Sequence, residues 1–179
     1  MDSLMFFSLI TIVVCILGLV YVIYYNSFQR YLIKINEVEG KIDTTLRERF
    51  DQLRKAAGFI KEHVDEEVMI ELKDIKDSEL SSFELERILV SITREFSNLK
   101  FKYRELVKLD SFTQMDFSLR ENEAELNGYT AYYNDTISNF NKLVRMFPSN
   151  IIAKTARFKE RTFYDGKDMN DKKTDDFKL

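Results

Sequence analysis

The sequence predicts an all-α protein, with a single N-terminal transmembrane helix continuing into an elongated antiparallel bundle of three long helices plus a short fourth. Three observations carry this reading. Leu4 to Tyr25 reads LMFFSLITIVVCILGLVYVIYY, an uncharged run with only Ser8 and Thr11 as weakly polar aliphatic positions. After it, apolar residues recur at steps of three and four, the spacing of one helix face. Helix breakers are scarce: 5 Gly and 1 Pro in 179 residues. The chain divides accordingly into an anchor (1-26), a helical body (27-164) and a polar tail (165-179).

The apolar run is long enough to be an anchor. At about 1.5 Å of rise per residue, about 22 residues reach roughly 33 Å, against about 30 Å of hydrocarbon. A cleaved secretory signal has a basic start, a shorter apolar run and a small-residue cleavage site. This chain starts Met-Asp-Ser, has no Lys or Arg before Arg30, and follows the run with Asn26. Tyr21, Tyr24 and Tyr25 gather at the end of the run, where amphipathic rings suit the headgroup level. Membrane lipid is therefore the expected partner of residues 4-25. Arg30, Lys34, Lys41 and Arg47 all follow the span, so the positive-inside rule places the body in the cytoplasm.

The first helix of the body runs from Asn26 to about Lys73, and nothing separates it from the span. Its stripe is Phe28, Leu32, Ile35, Val38, Ile42, Leu46, Phe50, Leu53, Ala57, Ile60, Val64 and Val68. Asp74 to Ser82 is a polar dip. Ser81 or Ser82 can cap a second helix, with Glu84 in its first turn. That helix extends from about Phe83 to Lys108 on Phe83, Ile88, Ile92, Phe96, Leu99, Tyr103 and Leu106. Leu85, Leu89, Val90 and Phe101 fall off that stripe, so either two faces are covered or the helix is interrupted near Ser97-Asn98. The third helix runs from about Thr113 to Met146. Its stripe is Met115, Leu119, Asn122, Leu126, Tyr129, Tyr133, Ile137, Phe140, Val144 and Phe147. Phe147 closes the stripe and is expected to be buried. Pro148, lacking an amide donor, stops the helix. Ser149 then reads as the cap of a short helix, Asn150 to about Arg157. From Asp165 the tail is polar and charge-mixed, the composition of a disordered segment.

Composition excludes several classes. Net charge is −3, with Lys and Arg matched by Asp and Glu. That gives no basic excess for nucleic acid. Cys15 is the only cysteine and lies in the span, so no disulfide is expected. His63, the only histidine, reads as a solvated helix residue. One His and one membrane-buried Cys build neither a triad nor a zinc site. No Gly-rich phosphate loop is present. Asp65-Glu66-Glu67 and Glu121 to Glu125 read as solvated faces rather than cation sites. No catalytic residue, metal ligand or cofactor is expected, and the protein is not read as an enzyme.

Several blocks are distinctive. They are Tyr25-Asn26, Ile42-Asp43, Leu46, Arg49-Phe50-Asp51, Tyr132-Tyr133-Asn134-Asp135, Asn141, Phe147-Pro148-Ser149-Asn150-Ile151-Ile152-Ala153, Phe158-Lys159-Glu160 and Phe163-Tyr164. With these blocks the chain resembles the LemA family of bacterial membrane proteins. The resemblance covers most of the chain apart from Asp65 to Phe96 and the tail. It implies one N-terminal membrane helix, an antiparallel helical bundle and no known enzymatic activity. Departures are Glu39 in place of a usual Trp, and Arg54 and Ser97 in place of usual prolines. The motif positions Tyr25, Asn26, Ile42, Asp43, Tyr132, Tyr133, Asn134, Phe147, Pro148, Ser149 and Asn150 are expected to be structural. Two function classes remain. One is an interaction or scaffold protein at the cell membrane, with an unidentified protein partner or self-association. The alternative is an envelope sensor or stress-response component acting through the helical rod.

The protein is expected to remain in the membrane pellet after alkaline carbonate washing. A C-terminal reporter that works only in the cytoplasm should be active, and a periplasm-dependent phosphatase inactive. Recovery of a shortened soluble chain contradicts the anchor, and the opposite reporter pattern contradicts the orientation.

Overall fold

The computed structural model describes residues 3–64, 68–75 and 80–164. Along the chain lie α1 (Ser3–Val64), α2 (Glu71–Asp74), α3 (Ser82–Lys102), a 3-10 turn (Leu106–Lys108), α4 (Asp110–Arg145) and α5 (Ser149–Ala156). Among the described residues no strand forms. The expected all-α class and helix order stand. The reading of the tail from Asp165 as disordered lies outside the described residues, as do Asp65-Glu66-Glu67.

α1 is one unbroken helix of 62 residues. Its first part is long and apolar enough to cross a membrane, and none of its most apolar window is buried in the protein. From Phe28 the helix changes character. Phe28, Ile35, Val38, Ile42, Leu46, Phe50, Leu53 and Ile60 are all buried, which is the expected stripe with few changes. Ala56, not Ala57, carries the stripe at that turn, and Leu32 and Val64 are only half-buried.

The expected end of α1 at Lys73 is too late: the described helix runs to Val64, and the next described residues, Val68 and Met69, are not helical. Met69 explains why the helix cannot continue: its φ of 50° is left-handed, a conformation costly for a side chain with a Cβ. The strain is held in place by burial of Val68 and Met69 and by the Met69 amide donating to Glu95 Oε1 at 2.7 Å. The separate short helix α2 follows.

The α3 start is locally encoded. Ser81 is the N-cap, its hydroxyl accepting from the Glu84 amide while the Glu84 carboxylate accepts from the Ser81 amide. The α3 core runs through Leu85, Leu89, Ile92, Phe96 and Leu99. This corrects the expected stripe, which set Leu85 and Leu89 aside for Phe83 and Ile88. The observed set steps evenly by four and three, and Phe83 and Ile88 are half-buried beside it. α3 runs without interruption through Ser97-Asn98 and stops at Lys102, short of Lys108. Leu106 is still buried, on the 3-10 turn.

The chain packs as two units. Unit 1 combines the chain up to Glu37 with Tyr133–Phe163. Phe28 is its hub. It meets Phe140 edge-on at 5.7 Å and stacks on Phe158 at 4.7 Å. Tyr133, Ile137, Ile152 and Ala153 complete the core. Unit 2 combines Val38–Tyr132 with, among the described residues that follow, Tyr164. Its core adds Phe112, fully buried and stacked on Phe96 at 5.5 Å, to the α1 and α3 stripes. α1 and α4 contribute to both units and run antiparallel: Asn122 lies against Thr45 within unit 2, and Phe140 against Phe28 within unit 1.

The end of α4 departs from the expected packing. Pro148 follows the helix stop as predicted, but Phe147 is 78 % exposed rather than buried. α4 ends at Arg145, two residues earlier, so Phe147 no longer follows the helical stripe. Ser149 is not the cap of α5 either. Its hydroxyl donates toward the carbonyls of Leu143 and Met146 at 2.7 and 2.8 Å. It serves the Leu143 carbonyl in the last turn of α4 and joins the Asn150 amide on that of Met146, and the residue at the N-cap position of α5 is Pro148.

Truncating the Phe28 hub should therefore be costly. Phe140→Ala is expected to lose about 3–5 kcal/mol, whereas Phe147→Ala should stay within about 0.5 kcal/mol of wild type. Denaturant melts of the detergent-solubilised full chain measure both. Equal losses would contradict the exposure of Phe147.

Candidate functional site

The family-motif residues do not converge. Tyr25, Asn26, Tyr133, Asn134, Phe147, Pro148, Ser149 and Asn150 belong to unit 1; Ile42, Asp43 and Tyr132 belong to unit 2. Their surroundings differ. Tyr25 stacks on Tyr21 at 6.0 Å and lies 5.8 Å from Phe158. Ile42 and Tyr133 are core. Asn26, Tyr132 and Phe147 face outward, and Asn134, Pro148 and Asn150 are half-buried. The acids Glu121 to Glu125 serve separate partners, Glu123 meeting Arg49 and Glu125 accepting from Tyr129. His63 is exposed at the end of α1, stacked on Phe59. Among the described residues no group of three or more His, Cys, Asp or Glu is placed to hold a metal ion.

Among the clefts in unit 2, two hold ion-paired side chains at their walls. The first, of about 370 Å³, includes Asp43, Arg47, Ser82, Phe83 and Tyr164. Its polar groups satisfy one another. Arg47 donates to both Asp43 oxygens at 2.9 and 3.1 Å, Ser82 donates to Asp43 Oδ1 at 2.7 Å, and Tyr164 donates to Glu86 at 2.5 Å. Burial pulls the Asp43 carboxyl upward, but the Arg47 and Ser82 donors together with the Arg47 charge outweigh it and hold the group below the ordinary carboxylate value. The Asp43–Ser82 bond fastens the start of α3 to α1.

The second cleft, of about 350 Å³, is different. It is lined by Arg49 with Leu89, Val90, Thr93, Arg94 and Glu123 among others. Arg49 occupies the core register of α1, between Leu46 and Leu53, and its side chain is only 7 % exposed. A guanidinium offers five N–H donors and needs acceptors when removed from water. Here Nε and Nη2 share one hydroxyl, Thr93 Oγ1, at 3.3 and 3.2 Å. Nη2 also reaches Glu123 Oε2 at 3.4 Å, and Glu123 is 57 % exposed. Nη1 is buried and has no hydrogen-bond partner. These contacts are longer than the usual 2.9–3.0 Å mode. Nearby in the same core, Asn122 donates to the Thr45 carbonyl at 3.0 Å while its own oxygen goes unpaired. The cleft thus has an underused cation in its wall, apolar side chains from Leu46, Leu89, Val90 and Leu126, and the carboxylates of Glu86 and Glu123 at its sides. The guanidinium is the part of it that suits a carboxylate carried on an apolar body.

Every residue that lines this cleft falls within the stretch that matches a known family. The LemA family matches residues 38–177, well over half of the chain. The chain belongs to the LemA family. The match starts after Tyr25-Asn26 and includes the stretch from Asp65 to Phe96 that the motif blocks leave out. No curated protein and no solved structure matches the chain.

In this LemA-family body, sequence reasoning names Arg49 only inside a family block and gives no functional role to Thr93, Asn122 or Glu123. The one signal that points to the cleft is register. An arginine at position 49 falls among the buried positions of α1, and the repeat of apolar residues passes over it without comment.

The Asp43 cluster sets an acid limit. Its folded pKa lies below the unfolded value of about 3.9, so its stabilisation is complete above that value and is lost as pH falls through the folded one. Melts recorded downward from about pH 5 should show wild type losing stability more steeply than Asp43→Asn. Parallel curves would mean that Asp43 carries no such linkage.

Proposed function

We propose that this LemA-family chain is a single-pass membrane protein whose cytoplasmic helical body is an interaction module, engaging a carboxylate of a protein partner at the Arg49 cleft. One observation carries the reading: Arg49 lines an open cleft, and its nearly buried guanidinium makes only long hydrogen bonds and leaves the buried Nη1 without a partner. A partner carboxylate replaces the exposed Glu123 and takes the guanidinium in a two-pronged bond. Leu89, Val90 and Leu126 receive the apolar part that carries it. The anchor half of the proposal is supported by continuity. α1 passes from its apolar stretch into the folded body without a break, and Tyr25 packs on Phe158. Removing the apolar stretch as a signal would cut close to that contact.

The same cleft also supports the second reading, a sensor that responds to a free organic acid. The two separate in one experiment. Hexanoate, a carboxylate on a short apolar chain, should raise the melting temperature of the full chain in mild detergent. Arg49→Lys keeps the charge but loses the fork, and should weaken binding about tenfold or more, as expected for about 1.5–3 kcal/mol per charged hydrogen bond. Glu123→Gln removes the competing carboxylate and should tighten it. Absence of any hexanoate effect on wild type and on Glu123→Gln overturns the cleft as a carboxylate site. A hexanoate effect with no stoichiometric partner in Arg49-dependent pull-downs favours sensing over scaffolding.

A further inference from the structure

Unit 1 carries an exposed apolar turn set among cations. Met146 and Phe147, between α4 and α5, are 59 % and 78 % exposed, and Ile151 on α5 is 56 % exposed. The opposite face of α5 is used inward, by Ile152 and Ala153. From residue 142 to residue 163 the chain has six basic residues and one acid, Glu160, although the whole protein is net −3. Lys142, Lys154, Arg157 and Lys159 are exposed, and Arg145 pairs with Glu160. Contiguous exposed apolar side chains ringed by one sign of charge mark a surface with an occupant.

Helix register fixes the level of this turn along α1. Phe140 lies against Phe28, and α4 runs toward the N-terminal end of α1. Five more residues end α4 at Arg145, an advance of about 7–8 Å. Met146 and Phe147 therefore come level with the Tyr21–Ile23 turn of α1, at the end of the uncharged run. Phe158, just beyond α5, touches α1 at Tyr25, in agreement with that level.

We propose that the α4–α5 turn docks on the anionic lipid surface of the same bilayer that α1 crosses. Met146, Phe147 and Ile151 enter the headgroup boundary. Lys142, Lys154 and Arg157 face anionic phospholipid, which attracts basic residues held within a Debye length. The surface chemistry selects lipid over a protein partner: the apolar group sits at the depth where the span itself leaves the hydrocarbon, and the charges around it are those of an anionic leaflet's complement. This inference rests on the membrane reading of residues 4-25.

The protein has no tryptophan, so Phe147→Trp provides a single reporter. The full chain is reconstituted into vesicles of equal parts phosphatidylcholine and phosphatidylglycerol, with and without lipid brominated near the headgroup. Asn36→Trp, on an exposed α1 position in unit 1 roughly 16 Å past Tyr25, is the reference. The expected result is blue-shifted emission from the Phe147→Trp variant, which loses most of its intensity to brominated lipid, with the Asn36→Trp variant unaffected. Replacing Lys142, Lys154 and Arg157 by Gln should reduce that loss. Emission from the Phe147→Trp variant as red and unquenched as that from the reference, in protein that floats with the vesicles, overturns the docking and leaves the anchor intact. A blue shift without quenching overturns it in favour of contact with a second copy. Protein that does not float overturns the anchor itself and the docking with it.

Discussion

The structure depends on a helix that does not stop. α1 keeps one hydrogen-bonded backbone for 62 residues, while the demands on its side chains change along the way. As far as Tyr25 the surface is apolar on every side. From Phe28 only one stripe is apolar, and that stripe has to be covered because an exposed run of Phe, Ile and Leu is costly in water. A rigid helix fixes the direction of every stripe residue. One inserted residue would rotate all that follow by about 100°. α4, antiparallel to α1, and α3 supply the cover, each through a stripe of its own stepping by three and four.

This explains which parts of the molecule are legible in the sequence. The stripe from Phe28 to Ile60 needs only periodicity, so it can be read almost residue by residue. The antiparallel pairing of α3 with α4 follows from the short connection between them, whereas α3 runs parallel to α1, with Ser82 on Asp43 and Thr93 on Arg49. The misreadings occur where periodicity stops governing. At Met69 a left-handed residue, held by Glu95 from a distant helix, ends what composition would continue. On α3 two apolar lines run side by side, and only packing decides that Leu85 and Leu89 lie inward. At Phe147 the stripe can be extended on paper, but the chain has already left the helix. Ser149 shows the same limit in a polar residue. A serine beyond a proline reads as a cap for the helix ahead, yet its hydroxyl turns back to the helix behind.

The Arg49 cleft is legible only as an anomaly. Hydrophobic periodicity identifies a core by what is apolar, so it passes over a cation placed in core register. Its meaning comes from contacts far apart in sequence, Thr93 on α3 and Glu123 on α4. The Asp43 cluster shows the opposite balance. There Arg47, one turn away, already predicts a paired carboxylate, and the structure adds Ser82. Two charged residues six positions apart on one helix thus do different work because one is satisfied by its neighbours and the other is not.

The segment after α5 has a consequence of its own. Arg157 turns left-handed, with φ of 60°, and sends the chain back over α1. Residues 158–163 make no helix. They are held by Phe158 against Phe28 and by Asn141, whose side chain donates to the Arg161 carbonyl at 2.8 Å and accepts from its amide at 2.9 Å. This amide mimics a strand partner for a single residue. Phe158 thereby closes the aromatic hub from outside the helices: the cover over Phe28 and Phe140 is a stretch without helix, pinned by one side-chain amide and by the Arg145–Glu160 pair.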